Sequence, residues 1–263
     1  MKRVVFNQKG GVGKSTIACN LAAIAAARGR RTLVIDLDTQ GNASRYLLGD
    51  AVAEASPNVA DFFEQSLNFR VRTLPIESFV HATPFENLFV MPASPVLADL
   101  QGKLEARSKI LKLRKALDEL DEFDEMVIDT PPALNFYTRS ALIAADGCLI
   151  PFDCDDFSRQ ALYGLMEEVE ELREDHNEDL RVEGVVVNQF QPRANLPQRI
   201  VQELIDEGLP VLDTMLSSSI KVRESHEASR PLVHFAPSHK LTEEFVALFD
   251  ELEKRRKAVR RKG

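Results

Sequence analysis

The sequence has few of the residues that build disulfide, redox and metal centres. It contains no tryptophan, three tyrosines, three cysteines and five histidines among 263 residues. Cys19, Cys148 and Cys154 lack C-x-x-C spacing, which argues against a disulfide framework, a metal site and an iron–sulfur cluster. The histidines show no ligand spacing and no nucleophile paired with them, so a Ser-His-Asp hydrolase has no support.

Long apolar segments are also missing. No run approaches the roughly 18 to 20 apolar residues that cross a bilayer, and a strand-like pattern begins at once, without the features of a signal peptide. We therefore expect a cytoplasmic protein. With 44% hydrophobic residues, the chain can bury a sizeable core in one domain. We place this domain at residues 1–253 and a basic tail at 254–263.

Short apolar segments alternate with helical patterns along the chain. This alternation predicts an α/β fold with a doubly wound, mostly parallel sheet and helices on both faces. Strands are predicted at residues 4–6, 32–35, 88–91, 126–128, 148–151, 182–187 and 211–213. The main helices are predicted at residues 15–27, 103–120, 159–173 and 196–207. In such sheets, ligands bind at the carboxyl ends of the strands.

A glycine-rich segment, residues 7–16, follows the first predicted strand and precedes the first predicted helix. A strand, a glycine-rich turn and a helix N-terminus together present backbone N–H groups to a phosphate. Lys14 is the expected contact of the β- and γ-phosphates, and the Ser15 hydroxyl is the expected Mg²⁺ ligand. The usual pattern has glycine where this chain has Gln8, and Lys9 is an additional lysine.

The ParA/MinD partition and positioning ATPases have a deviant phosphate loop that resembles the segment Lys9-Gly10-Gly11-Val12-Gly13-Lys14-Ser15-Thr16. The resemblance covers nearly the whole chain and is greatest to the small, Soj-like ParA proteins that lack an N-terminal DNA-binding domain. It implies that residues 9–16 bind ATP with Mg²⁺. It also implies that Lys9 reaches across a dimer interface to the partner's nucleotide, so that ATP drives homodimer formation.

Carboxylates follow two further predicted strands. Asp36 and Asp38 come after residues 33–35, and Asp129 comes after residues 126–128. Any one strand-end aspartate is more simply a cap or turn residue, but three such features in this order favour a site. The resemblance implies that Asp38 orients the attacking water, Asp36 supports the magnesium shell and Asp129 acts on Mg²⁺ through water. Thr39 stands where the family usually has proline.

Asn188 ends another predicted strand, at residues 182–187. An asparagine at this position commonly reads the adenine edge in the family, which makes Asn188 the candidate for base recognition. Asparagine is also a normal turn residue at the end of a strand, and this alternative stays open.

Two basic segments are candidates for DNA binding. Lys221 and Arg223 resemble the family region whose basic residues face DNA. The chain has a formal net charge of -8, yet the last ten residues hold seven cations. These are Lys254, Arg255, Arg256, Lys257, Arg260, Arg261 and Lys262. Such asymmetry favours contact with a polyanion, and the alternative is a solvated helix end whose cations complement the helix dipole.

The predicted helix near residues 158–175 has one apolar face and an otherwise acidic surface. The acidic residues are Glu167, Glu168, Glu170, Glu171 and Glu174. They serve solubility or dock a basic segment of a partner. The resemblance implies a ParB-like or cargo-bound activator that carries such a segment.

These features together predict an ATP-driven dimer that binds nonspecific DNA on the nucleoid and positions a plasmid, a chromosome or a protein assembly. One alternative is a MinD-like membrane-associated ATPase, which the tail disfavours because only Ala258 and Val259 are apolar after Leu252. Another is a metabolic ATP-dependent relative of the same fold. The electron-transfer version needs more cysteines than this chain has, and the ligase version normally lacks Lys9.

Overall fold

A computed structural model describes residues 1–68, 73–154, 156–191 and 193–260. The strands are β1 (Lys2–Val5), β2 (Thr32–Asp36), β3 (His81–Ala82), β4 (Leu88–Met91), β5 (Glu125–Asp129), β6 (Gly147–Asp153) and β7 (Arg181–Asn188). The helices are α1 (Lys14–Ala27), α2 (Asn42–Leu48), α3 (Val59–Leu67), α4 (Leu97–Ala106), α5 (Lys112–Leu117), α6 (Phe136–Ala144), α7 (Asp156–His176), α8 (Asn195–Asp206), α9 (Ile220–Glu227), α10 (Leu232–Phe235) and α11 (Lys240–Arg260).

The strands form one sheet in the order β3-β4-β2-β5-β1-β6-β7. Every pairing is parallel except that of β3 with β4. The central strands are buried on both faces, as their near-continuous apolar sequences require. Alternate residues serve two cores: Val4 packs with helices α3 to α8, and Val5 packs with α1, α2, α10 and α11. The predicted doubly wound, mostly parallel fold is confirmed.

Three local predictions were wrong. The helix predicted at residues 103–120 is two helices, because the chain turns at Ser108, whose φ is 49°. Backbone N–H groups of Ser108 and Lys109 donate to carbonyls at the end of α4 and terminate it. The strand predicted at residues 211–213 is reduced to a single bridge between Val211 and Val185. Strand β3, only two residues long, was missed.

The basic residues within 254–260 continue α11, so the predicted boundary between body and tail falls within a helix. Arg256 donates to Glu125 and Glu253 at 2.8 and 2.9 Å, and Arg255 pairs with Glu251 at 2.8 Å. Glu125 is the first residue of β5, which places the end of α11 at the amino edge of the sheet. Arg261, Lys262 and the side chain of Arg260 lie outside the described residues.

The same edge holds a buried ion-pair network that fixes α11 to the sheet. The Arg3 guanidinium is almost fully buried and donates to both oxygens of Glu183, at 2.5 and 2.9 Å. Arg30 bridges Glu125 and Glu253 at 2.7 and 2.5 Å. Since each buried charge has an opposite charge beside it, the network resists separation of α11 from the strands.

Candidate functional site

The predicted site residues gather at the carboxyl edge of the sheet. Strand β1 leads into the phosphate loop, and Asp129 at the end of β5 lies in register with both Val5 and Asp36. Gly13 precedes α1 with a φ of 91°, a left-handed conformation that favours glycine. The loop therefore delivers the N-terminus of α1 to the point where two carboxylate-bearing strands end.

Lys14 is buried at the start of α1, 7% exposed. Its Nζ donates to the carbonyl oxygen of Lys9 at 3.1 Å. Burial lowers the pKa of Lys14, and the nearby Asp129 and Asp38 carboxylates oppose this shift. A partly desolvated ammonium group at the mouth of a phosphate loop is suited to pair with phosphate oxygens.

Two side chains at the end of β7 hold the phosphate loop. Asn188 Nδ2 donates to the Val12 carbonyl at 2.8 Å, and Gln189 Nε2 donates to the Gly11 carbonyl at 3.1 Å. A Cβ atom at Gly13 would lie 2.3 Å from Asn188 Nδ2, so a larger residue at this left-handed position would be strained and would displace the Asn188 amide. Sequence reasoning missed Gln189; its position directly after Asn188 was the available signal. Adenine recognition by Asn188 stays a prediction.

Asn188→Ala is expected to weaken ATP and GTP binding alike, by roughly threefold to tenfold, the value of one hydrogen bond. The reason is that the described contact of Asn188 supports the loop, and the loop meets phosphates that both nucleotides share. Fluorescence titration with labelled ATP and GTP measures both affinities. Gln189→Ala is the matched comparison, because it removes the other side-chain hydrogen bond to the loop. A loss confined to ATP would instead support the adenine role.

Asp129 has the character expected of a magnesium-site carboxylate. Both of its side-chain oxygens are buried, and among the described residues neither accepts a hydrogen bond of normal geometry, although the Ser15 side chain is close enough to interact. Burial raises the pKa of Asp129 well above its ordinary value, Asp36 adds to this rise, and Ser15 and Lys14 oppose it. Because a buried carboxylate without a partner is costly, a hydrated divalent cation between Ser15 and Asp129 fits this pair.

The Asp36 side-chain oxygens accept hydrogen bonds from the loop after β2 and from the first turn of α2. One oxygen accepts the backbone N–H and the hydroxyl of Ser44 at 2.8 and 2.7 Å, and the other accepts the Asp38 N–H at 3.1 Å. Burial raises its pKa to about 6, and the hydrogen bonds from Ser44 oppose the rise. The described contacts therefore make Asp36 an organiser of this loop, and its place in the magnesium shell stays a prediction.

Asp38 is buried beside these groups. Its Oδ1 accepts the Gln40 N–H at 3.0 Å, and its carbonyl accepts the Gly41 N–H at 2.9 Å. The turn formed by residues 38–41 thus holds the Asp38 carboxylate at the carboxyl edge, where it is close enough to Lys14 to affect the pKa of Lys14. Such a carboxylate can orient a water molecule toward a bound phosphate.

Lys9 lies at the rim of the loop and is partly exposed. Its Nζ is 3.5 Å from Asp153 Oδ2 at the end of β6, and its backbone N–H donates to Asn7 Oδ1 at 2.8 Å. Next to it, Gln8 donates a hydrogen bond to Glu168 of α7. The acidic surface of α7 therefore contacts the phosphate loop directly.

The candidate DNA-binding residues lie at opposite ends of the molecule. Lys221 bonds to Glu224 at 2.5 Å, and Arg223 is exposed, both on α9 near the carboxyl edge. Lys254 and Lys257 are exposed at the amino edge, where Arg255 and Arg256 are already paired. Helix α1 connects the two edges, and its 14 residues span roughly 20 Å. The two sets therefore do not form one continuous surface.

Within the described part of the chain, none of the helices has the length and apolar character needed to cross a membrane.

Comparison with known proteins agrees with this geometry. A family model described as an AAA domain matches residues 2–182. The chromosome partitioning protein ParA of Myxococcus xanthus is 35% identical over 257 residues, which cover 95% of this chain and 87% of that protein. The sporulation initiation inhibitor protein Soj of Bacillus subtilis is 31% identical, with 94% of this chain and 96% of Soj covered.

Among solved structures, cobyrinic acid a,c-diamide synthase from Mycobacterium smegmatis, with a bound ATP analogue and magnesium, superposes with a TM-score of 0.75 at 26% identity. The match covers 91% of this chain and 97% of that one. The synthase shares the fold, whereas the partition proteins share more of the sequence over nearly the full length. The phosphate loop with its extra lysine, the two carboxylate-bearing strands and these identities lead to one conclusion: the chain belongs to the ParA and Soj family of chromosome-partitioning ATPases.

Proposed function

We propose that this ATPase uses Mg-ATP to form a symmetric dimer, that the dimer binds DNA without sequence preference, and that hydrolysis releases it. The observation that carries the proposal is the position of Lys9. Its side chain is partly exposed at the rim of the phosphate loop, 3.5 Å from an equally exposed Asp153 carboxylate. An exposed pair of this kind is weak, so the contact with Asp153 does little to keep Lys9 from the nucleotide of a second subunit.

In this proposal, ATP and Mg²⁺ occupy the carboxyl edge. The residues that hold them are the phosphate loop 9–16, with Lys14 on the phosphates and Ser15 and Asp129 on the cation side. The cation supplies charge neutralisation for the phosphates. Lys14 and Lys9 add positive charge, and Asp38 positions water. The protein contributes positioning and electrostatics, which supply most of the acceleration in phosphoryl transfer.

The acidic surface of α7 is a suitable dock for the basic segment of an activating partner, ParB-like or cargo-bound. A cavity of about 460 Å³ lies beside this surface. Its lining includes apolar Leu134 and Phe136, the cations Lys109 and Arg139, and four carboxylates, at Glu105, Glu168, Glu171 and Asp175. Opposite charge accelerates association and selects the partner. Because Glu168 also contacts Gln8, a segment bound there would act on the phosphate loop. The cargo is a plasmid, a chromosome or a protein assembly on the nucleoid.

The DNA-binding step is tested by a salt titration of binding to arbitrary duplex DNA with ATP and with ADP. We expect binding to be far tighter in ATP than in ADP and to fall with salt, with a slope that flattens by about 0.9 for each phosphate that a variant no longer neutralises. Lys221→Ala with Arg223→Ala should flatten the slope in ATP, because α9 lies at the nucleotide edge. Lys254→Ala with Lys257→Ala should weaken binding equally in both nucleotides, because these residues lie at the other edge.

These point variants are preferable to removal of the C-terminus, since truncation would also break the pairs of Arg256 with Glu125 and Glu253. Co-sedimentation with anionic liposomes is measured beside the DNA titration. Liposome binding without DNA binding would overturn the nucleoid proposal in favour of a membrane-associated ATPase.

A further inference from the structure

Helix α9 is fastened to the nucleotide-binding part of the molecule by two consecutive residues, Ser225 and His226. The His226 ring stacks on Tyr46 of α2, with centroids 3.8 Å apart and an interplanar angle of 13°. His226 Nε2 lies 2.9 Å from the hydroxyl of Thr16, the last residue of the phosphate-loop motif. The Tyr46 hydroxyl lies 2.9 Å from the Ser225 hydroxyl. Each contact joins α9 to an element of the phosphate site.

Buried Asn20 of α1 reinforces this cluster. Its Nδ2 donates to the Thr16 carbonyl at 2.8 Å and lies 3.4 Å from the Tyr46 hydroxyl. Its Oδ1 accepts the N–H of Leu232, at the start of α10, at 2.8 Å. Asn20 therefore links Thr16 and Tyr46, the two residues that the His226 ring contacts, so the four residues form one connected network.

The other end of α9 is loosely packed. Ile220 is 58% exposed and Arg223 is exposed, whereas Ser225 is buried, alone among the residues of this fully described helix. Val222 also packs against the core, and the contacts of Ser225 and His226 join α9 to the phosphate loop and to α2. Their anchors lie beside the predicted nucleotide and cation contacts: Thr16 follows Ser15, and Tyr46 shares α2 with Ser44, which binds the Asp36 carboxylate.

The His226 ring can report on a phosphate through its tautomer. Burial lowers its pKa to about 4, so the ring is neutral at pH 7 and carries one N–H. The Thr16 hydroxyl has a single proton, which it can donate either to His226 Nε2 or to a phosphate oxygen. When Thr16 donates its proton to an anion, the Thr16 oxygen can only accept a hydrogen bond from His226. This favours the His226 tautomer with the proton on Nε2.

We propose that His226 is a positioning residue that couples occupancy of the phosphate loop to the placement of α9. Nucleotide binding turns the Thr16 proton toward the phosphate, and His226 then becomes the donor of the Thr16 hydrogen bond. The bond is strengthened by the polarised hydroxyl, and α9 is held more firmly. The consequence for Lys221 and Arg223 as DNA contacts rests on the proposed function; the coupling itself requires only that nucleotide binds.

The test combines nitrogen NMR of labelled histidines with hydrogen exchange of the α9 amides, with and without Mg-AMPPNP. His226→Phe keeps the ring stack on Tyr46 and removes the nitrogen, whereas His226→Gln keeps a polar group and removes the stack. His234→Phe is the matched control, because His234 stacks on Phe85 at 4.6 Å in the same way but belongs to α10.

We expect Mg-AMPPNP to shift the His226 signals of the wild type toward the Nε2–H tautomer and to slow α9 exchange by roughly threefold to tenfold, the effect of one hydrogen bond. His226→Phe should abolish the slowing, His226→Gln should retain part of it, and His234→Phe should behave as wild type. Affinity for the nucleotide should stay within about threefold in His226→Phe, since the loop itself is intact.

Unchanged histidine signals in the wild type, or equal slowing of α9 exchange in His226→Phe and wild type, would overturn the inference. Failure of the wild type to bind DNA would overturn the DNA proposal alone, because the NMR and exchange measurements contain no DNA. If DNA does bind, the ratio of its affinities in ATP and ADP should fall by roughly threefold to tenfold in His226→Phe.

Discussion

Asp38→Ala is expected to bind Mg-ATP and to dimerise, yet to hydrolyse ATP about 100-fold more slowly than the wild type, the usual cost of losing a positioned carboxylate. The carboxylate lies at the carboxyl edge, and its described contact is with the Gln40 N–H at 3.0 Å. Lys14 and the loop, which hold the phosphates, make no described hydrogen bond to this carboxylate, and Lys14 Nζ donates to the Lys9 carbonyl instead. Hydrolysis of ATP should therefore be slowed in Asp38→Ala, whereas binding of Mg-ATP should persist.

Phosphate release under multiple turnover measures the loss of hydrolysis, and equilibrium titration with labelled ATP measures binding. Asp50→Ala is the matched control, because Asp50 is an exposed carboxylate just after α2 and outside the site. In the DNA assay, Asp38→Ala should stay bound as long as ATP is present. Phosphate release at the wild-type rate from Asp38→Ala would remove Asp38 from the reaction.

The phosphate loop and the sheet were predictable because their signals are local. The loop is a contiguous motif between a strand and a helix, and the strands are short apolar runs that are buried on both faces. The strand-end carboxylates could be grouped in advance, because parallel strands bring their carboxyl ends to one edge. Contacts between distant segments were not predictable in the same way.

The C-terminal cations illustrate this limit. A count of charges treats Arg255 and Arg256 like Lys254 and Lys257. In the structure, however, Arg256 meets Glu125, which is 131 positions away in the chain. Likewise, the contact between Asn188 and the Val12 carbonyl joins residues 176 positions apart. Ser108 takes a left-handed conformation that serine rarely adopts, and for that reason the helix pattern over residues 103–120 did not reveal the break.

Lys9→Ala is expected to remain folded and monomeric in ATP. The side chain makes an exposed pair with Asp153 at 3.5 Å, which adds at most about 1 kcal/mol to stability. The backbone contacts of residue 9 with Asn7 and Lys14 do not need the side chain. A symmetric dimer of Lys9→Ala, however, would lack the two hydrogen bonds, one from each subunit, that we propose Lys9 makes to the nucleotide of the partner. At about 1.5–3 kcal/mol for each charged hydrogen bond, the dimer dissociation constant rises roughly 100-fold or more.

The dimer is best measured by sedimentation velocity in the Asp38→Ala background, where slow hydrolysis keeps ATP bound. Lys9→Ala in that background should sediment as a monomer in ATP. Asp153→Asn is the matched control: it removes the carboxylate beside Lys9 and keeps the lysine that we propose reaches a second subunit, so it should still dimerise. Dimer formation by Lys9→Ala equal to that of its parent would exclude Lys9 as the residue that links nucleotide to dimerisation. Loss of the dimer in Asp153→Asn would assign the effect to the intrachain pair instead.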